Sequence, residues 1–274
     1  MSRLTDWAFY GLLAMAILVW ALHLREEVYT PPPPPEPDEV EGALLGPITP
    51  FDPAITLNAP DIPFQPASGT AFAIAGEGRW VTARHVVEGC RKPALMVGGG
   101  RAVAASVRLA PRADVAVLIT EGGPDPLPVE VAPELRKGQR GFHPGYPQGH
   151  AGEVTSRLLG RETFRVRGRG QRDEPVLAWA EVGRTAGLKG TLSGLSGAPV
   201  LDRRGRVLGV TIAEAPRRGR IYTTAPDTFG PAIRGMSDRR ARPQAEPVTL
   251  ANYGRVADAL RRDLRVAQVV CLSA

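Results

Sequence analysis

The chain has 274 residues, 43% of them hydrophobic, which is enough to bury a sizeable core and leaves open one large domain or two small ones. Aromatic residues are scarce at 6%, while 31 glycines and 27 prolines favour many short strands joined by turns over a helical bundle. The net charge of +6 comes from arginines scattered along the chain, and the densest basic run, 234–242, lacks interleaved aromatics that would stack bases. That argues against nucleic acid as a partner and for a solvated loop.

The first element in chain order is an apolar run over residues 7–24, broken only by His23 and just long enough to cross a bilayer as a helix. Trp7, Tyr10 and Trp20 stand toward its ends, where amphipathic rings prefer the headgroup layer. A cleaved signal peptide would need small residues after a shorter apolar stretch, yet the A-x-A pattern Ala14-Met15-Ala16 falls mid-run. The expectation is therefore an uncleaved membrane anchor over residues 1–27. Arg3 and the amino terminus, set against Arg25-Glu26-Glu27, favour an N-terminus inside. Thr30 is followed by Pro31 to Pro35, Glu36 and Pro37, a run that adopts polyproline II at about 3.1 Å per residue. Residues 28–65 read as an extended, proline-punctuated stalk holding a folded domain off the membrane.

From Ser68 the texture changes. Strands are expected at 70–75, 79–82, 93–97, 102–109 and 115–120, with Gly76-Glu77-Gly78, Gly98-Gly99-Gly100 and Pro111-Arg112 as turns. Residues 122–133 hold four prolines and read as a connector. A second strand set is expected near 141–142 and at 153–158, 163–166, 176–182, 198–201, 207–212 and 221–224. Two comparable sets predict an all-β fold of two small barrels, about 66–122 and 136–232, with a tail over 233–274. Within that tail Tyr253, Val256, Ala257, Leu260 and Leu264 recur at helical spacing, giving one helix with an apolar packing face.

Two cysteines, Cys90 and Cys271, are too few for a structural zinc site and have no CxxC spacing. Outside the cytoplasm they can form a disulfide that pins the tail near His85; otherwise they are two buried small hydrophobes.

Three motifs carry chemistry: Thr82-Ala83-Arg84-His85, Ala113-Asp114-Val115 and Gly194-Leu195-Ser196-Gly197-Ala198-Pro199. Each alone has a plain structural explanation, as a packed histidine, a strand-entry aspartate and a tight turn. Their order is more informative, since α/β-hydrolases run Ser, Asp, His and subtilisins run Asp, His, Ser. A nucleophile elbow is excluded because a strand, Pro199-Val200-Leu201, comes after Ser196 where that motif needs a helix.

On these motifs residues 66–232 resemble the chymotrypsin/trypsin-like serine proteases, closest in texture to the bacterial heat-shock and glutamyl-endopeptidase branches. The resemblance implies a double Greek-key barrel with its active site in the cleft between the halves. It implies a serine endopeptidase acting on protein or peptide substrates through an acyl-enzyme, with His85 as base, Asp114 as orienter and Ser196 as nucleophile. The oxyanion hole would be the N–H groups of Gly194 and Ser196, and no metal or organic cofactor is implied. Substrate-binding positions fall at Gly190, Thr191, Thr211, Ile212 and Ala213, without an acid among them, so small or medium apolar side chains are expected. Lys189, if turned inward, would favour an acidic one. His143 and His150 read as structural. With the anchor, the expected location is a bacterial inner membrane with the protease domain on the periplasmic side. Many relatives carry Asp or Asn immediately before the serine, and here Leu195 occupies that position. Activation by pairing with a newly cut N-terminus is therefore not expected. The alternative is a catalytically weak or inactive protease-like binding module on the same tether.

Overall fold

The computed structural model describes Leu13, Met15 and residues 41–59, 68–168, 171–238, 241–242 and 246–272. No helix among them is long and apolar enough to cross a membrane. The expected anchor over 7–24 lies, apart from Leu13 and Met15, outside the described residues. So does the polyproline part of the stalk. The chain divides into two compact units, Met1–Glu39 and Val40–Ala274, and every named strand belongs to the second.

Fourteen named strands fall into two seven-stranded sheets. The first contains β2 (Gly69–Ala75), β3 (Arg79–Thr82), β4 (Pro93–Met96), β5 (Ala102–Ala104), β6 (Ser106–Leu109), β7 (Ala116–Ile119) and β14 (Val266–Cys271), in the order β5-β4-β14-β2-β3-β7-β6. Its two edge strands, β5 and β6, are separated in the chain by Ala105 alone. The sheet must therefore roll until its edges meet. β2 is buried along its whole length because it has a neighbour on each side and core on each face, which is why it reads as an unbroken apolar run.

The second sheet holds β1 (Ala54–Ala59), β8 (Arg140–Gly145), β9 (Gly152–Gly168), β10 (Arg172–Arg184), β11 (Pro199–Leu201), β12 (Val207–Ala215) and β13 (Arg220–Thr224). It closes on itself, since β8 pairs with β11 on one side and β9 on the other. Trp179 is fully buried at its centre, and its indole N–H donates to Thr223 Oγ1 at 2.9 Å, so the ring fills the core without stranding a donor. The connector at 122–133 stitches the sheets together: Leu127 N–H donates to Ala73 of the first and Glu130 N–H to Val207 of the second, both at 2.9 Å.

Two expected boundaries move. The stalk expected over 28–65 ends earlier, because β1 pairs in parallel with β9, and Gly42 and Leu45 N–H donate to Lys137 and Leu135 at 2.8 Å. The long β9–β10 hairpin offers an unpaired edge, and an extended segment satisfies its own backbone there even with Pro53 at the entrance. The second shift is at the far end, where the tail does more than pack a helix. Helix Tyr253–Arg262 lays Tyr253, Val256, Ala257 and Leu260 of the predicted stripe against Phe142, whereas Leu264 lies past its end with φ +56°. Its Arg261 reaches Glu153 Oε2 at 2.9 Å and the Gly152 carbonyl at 3.0 Å. The chain then returns as β14, an interior strand between β2 and β4.

Cys271 at the end of β14 is bonded to Cys90, with Cα atoms 5.7 Å apart and a sequence separation of 181. The disulfide alternative is thus the one realised, tying the last strand to the loop after His85. Closing so long a loop constrains the unfolded chain strongly. Cys271→Ser should destabilise the domain by about 3–5 kcal/mol, read as a lower denaturant midpoint, and reductant should shift the wild-type protein similarly while leaving the variant unmoved.

Candidate active site

β3 ends at Thr82 and the chain turns into the single helical turn Arg84–Val87. Val86 and Val87 of that turn face the core, which leaves His85 facing out. Asp114 arrives from the turn before β7. His85 Nδ1 lies 2.7 Å from Asp114 Oδ2, and the His85 backbone N–H donates to Oδ1 at 2.9 Å. One carboxylate thus fixes both the ring and the backbone that carries it. With Nδ1–H donating to Asp114, the proton-accepting lone pair is on Nε2.

The His85 side chain is 46% exposed and that of Asp114 10%. Withdrawal from water lowers the imidazole pKa, but the charge and hydrogen bond of Asp114 outweigh this and the net displacement is above the ordinary 6.5. For Asp114 burial works upward, yet the charge and hydrogen bonds of His85, with Arg172 beyond, bring the carboxyl below its ordinary value. The pair is built to hold a proton on the ring and none on the acid.

Ser196 lies on the loop before β11. Its carbonyl accepts from Thr70 N–H at 2.8 Å, and a Cβ placed on Gly197 would lie 2.0 Å from the Thr70 carbonyl oxygen and 3.0 Å from Ala83 N. Only a glycine, here with φ +90°, lets this loop lie so close to the start of the histidine's helical turn. Among the described residues Ser196 Oγ and His85 Nε2 are not hydrogen-bonded to each other. Catalytic contacts of this kind tighten when substrate binds, so geometry in the free enzyme does not decide against them.

The backbone around Ser196 has two uncommitted donors. Ser193 C=O accepts from Gln148 N–H, and Leu195 C=O accepts from Ala198 N–H at 2.9 Å. A trans peptide points its N–H opposite its C=O, so the N–H groups of Gly194 and Ser196 are turned away from these tethers. Neither has an acceptor among the described residues. Gly194 holds φ +94°, and a Cβ there would meet the Tyr146 carbonyl at 2.5 Å. The two predicted oxyanion donors are therefore free and held in a fixed loop.

Several groups hold it. Thr70 Oγ1 donates to the Gly194 carbonyl at 2.8 Å and accepts from Tyr146 N–H at 3.0 Å. The Gln148 amide donates to the carbonyls of Lys189 and Thr191 at 2.6 and 2.7 Å. Glu214 accepts from Leu192 N–H at 2.8 Å and from the Thr191 hydroxyl. Leu195, standing where many relatives have a polar or charged residue, is 2% exposed and packs with Trp179 and Ala198 in the second barrel's core. Among the described residues the loop is held by neutral hydrogen bonds, one carboxylate and apolar packing.

Beside Ser196 is a cavity of about 40 Å³ lined by Leu192, Ser193, Leu195, Thr211, Ala213, Glu214 and Ile221. Of the expected substrate-binding residues, Thr211 and Ala213 line it, while Gly190, Thr191 and Ile212 do not, and neither does Lys189. None of those positions is an acid, but the neighbouring Glu214 contributes to the cavity wall. Ile212 alternates away from the cavity into the core, as strand periodicity requires. Sequence reasoning missed Gln148, Glu214 and Thr70; only Gln148, whose φ of 55° is unusual for a residue with a side chain, is locally distinctive, and that is invisible before the fold is known.

His143 is fully buried, with Nδ1 2.9 Å from Thr211 Oγ1 and Nε2 2.7 Å from Ser156 Oγ. Burial lowers its pKa to about 3, so it stays neutral, in keeping with a structural role. His150 is exposed.

Among known proteins, the trypsin-like peptidase domain family matches residues 69–210. The uncharacterized protein y4bJ of Sinorhizobium fredii is 28% identical over 232 residues, covering 78% of this chain and 33% of its own length. The chain thus spans about a third of that relative. The Rv3671c protease in an inactive form is 24% identical with a TM-score of 0.50, over 60% of this chain and 82% of its own. The HtrA-type protease AlgW with a decapeptide is 18% identical with a TM-score of 0.45, over 57% and 47%.

The site's geometry gives two expected outcomes. Gln148→Ala removes two loop tethers and leaves a strained backbone, so reaction at Ser196 with an active-site phosphonate should slow roughly tenfold. That is less than the hundred- to thousandfold cost of losing a donor outright, and Gln148→Gly, which relieves φ, should lose less. His143 takes up its proton only in the unfolded chain between pH 6.5 and about 3, so the unfolded state binds more protons there. Stability should fall as pH drops below 6.5, by about 1.4 kcal/mol per pH unit from this group, and His143→Gln should flatten that slope in pH-dependent denaturation.

Proposed function

Because the chain belongs to the trypsin-like peptidase family and is a serine peptidase, we propose that it is a membrane-anchored endopeptidase working through His85, Asp114 and Ser196. The observation that carries the reading is the 2.7 Å His85–Asp114 contact, on a turn whose Ala83 lies against Gly197 of the Ser196 loop, whose own backbone donors are uncommitted.

A serine hydroxyl is a weak nucleophile at neutral pH and needs a base. His85 Nε2 takes the Ser196 Oγ proton as Oγ bonds to the scissile carbonyl carbon. The electron pair displaced onto the carbonyl oxygen is met by the N–H groups of Gly194 and Ser196. Asp114 stabilises the imidazolium, which then gives its proton to the leaving amine as the C–N bond breaks. Water repeats the sequence on the acyl-enzyme, releasing the new carboxyl end and restoring Ser196. Because Asp114 raises the His85 pKa, activity should fall as pH drops through a midpoint above 6.5.

The cavity beside Ser196 is small, about 40 Å³, which favours a small side chain such as alanine before the cleaved bond. The Glu214 carboxylate in its wall disfavours an acidic one. Anchoring through residues 7–24 with the protease domain outside the cytoplasm is supported by the apolar run and by the Cys90–Cys271 disulfide, which persists in oxidising compartments.

A fluorophosphonate probe tests the chemistry. It should label Ser196, with labelling abolished in Ser196→Ala and reduced at least a hundredfold in His85→Ala. A folded wild-type protein that stays unlabelled at neutral pH would favour a protease-like binding module instead, the reading to which the open Ser196–His85 contact corresponds. For topology, a reporter fused after residue 39 should be active outside the cytoplasm; activity inside would overturn the anchor's orientation.

A further inference from the structure

Strand β10 crosses from the second barrel to the back of the His85–Asp114 pair, carrying Arg172 and Glu174 on one face, two residues apart. Glu174 Oε1 accepts from the Asp114 backbone N–H at 2.9 Å, and its Oε2 pairs with Arg172 Nε at 2.9 Å. Arg172 Nη2 stands 4.0 Å from Asp114 Oδ2, the oxygen that holds the imidazole. The Glu174 side chain is 0% exposed and that of Arg172 16%. A carboxylate so buried costs several kcal/mol in solvation unless paired. Packing two carboxylates and a guanidinium behind one histidine is therefore an expensive way to close a β-hairpin, and an apolar pair would close it as well.

We propose that Arg172 and Glu174 are positioning residues for catalysis: Glu174 fixes the Asp114 backbone from the opposite barrel, and the pair together sets the protonation midpoint of His85. The proposal rests on His85 being the general base. It adds two members, from the other barrel, to the charge system of the site.

The charged groups around His85 are few. Asp114 faces it from the turn before β7, Arg172 and Glu174 from β10, and on its own helical turn Arg84 and Glu88 are paired to each other at 2.7 Å. Asp114 and Glu174 favour the imidazolium and Arg172 opposes it, with Arg172 the stronger of the two β10 charges. Burial, followed by the charge of Asp114, raises Glu174 itself, and Arg172 and the Asp114 N–H hold it back. The two β10 charges thus act on the ring with opposite sign, a signature that packing alone does not produce.

The test is the His85 titration in the full-length chain, read by NMR of histidine-ring-labelled protein, beside the pH profile of probe labelling. Glu174→Gln keeps an acceptor for the Asp114 N–H but loses the charge. Its His85 midpoint should fall by roughly one pH unit or more, since a unit charge within about 10 Å at an effective dielectric near 20 is worth at least that much. Adding Arg172→Gln to that variant should bring the midpoint back up and past the wild-type value, whereas Arg172→Lys alone should leave it near wild type. Should Glu174→Gln not fold, the neutral pair Arg172→Gln/Glu174→Gln carries the test alone through its raised midpoint. Folded variants with the wild-type midpoint overturn the proposal. Since the NMR midpoint needs no turnover, an unlabelled wild-type Ser196 would sink the hydrolase reading separately, and shifted midpoints would still stand.

Discussion

The structure hangs on Thr70. This buried residue of the first sheet gives its hydroxyl proton to Gly194 and its backbone N–H to Ser196, and accepts Tyr146 N–H on the hydroxyl and the Thr82 hydroxyl on its carbonyl. Thr82 leads into the turn that carries His85, while Gly194 and Ser196 lie on the loop that runs into β11 of the second sheet. One side chain and one peptide unit therefore register the His85 turn of one barrel against the Ser196 loop of the other. The separation of His85 from Ser196 is set by backbone hydrogen bonds at that point, with Gly197 as the residue that lets the strands approach.

Around this seam both barrels contribute to the other's business. The second barrel sends β10 behind Asp114, and the first sends Thr70 beneath the loop of Gly194 and Ser196. The C-terminal strand β14, locked through Cys271 to the loop after His85, fills the interior of the first sheet beside β2. A site divided between two independently rolled sheets would drift with any relative motion. Here each half is hydrogen-bonded to the backbone of the other, and the connector at 122–133 pairs with both. Preorganisation of the cleft is thus a property of the interface between sheets.

The electrostatics divide in the same way. The His85–Asp114 pair is short and strong because Asp114 is largely out of water, but that burial needs compensation, which Arg172 supplies at 4.0 Å while Glu174 in turn neutralises Arg172. The loop of Gly194 and Ser196 avoids buried charge almost entirely. It is tethered by Gln148, Thr70 and the packing of Leu195, with Glu214 as its sole carboxylate brace among the described residues. That explains how a leucine can precede Ser196: the loop's shape does not depend on an ion pair at this position.

Much of this was legible in the residues themselves. Strand alternation and glycine turns implied two small β-barrels, because periodicity and turn chemistry are local properties; placing His85, Asp114 and Ser196 in the cleft between them came only from the resemblance to trypsin-like proteases. The helix over Tyr253–Arg262 was equally plain from its stripe. What the residues in order did not disclose is everything that depends on partners far along the chain. The pairing of residues 54–59 with β9, the return of the tail as β14, the choice of Glu214 over Ile212 for the cavity wall and the approach of Arg172 and Glu174 to Asp114 are decided by which backbone edge and which charge meet in space. Local sequence determines what a segment can form and which chemistry it carries; only the folded contacts determine which unpaired edge, buried charge or free N–H it is there to satisfy.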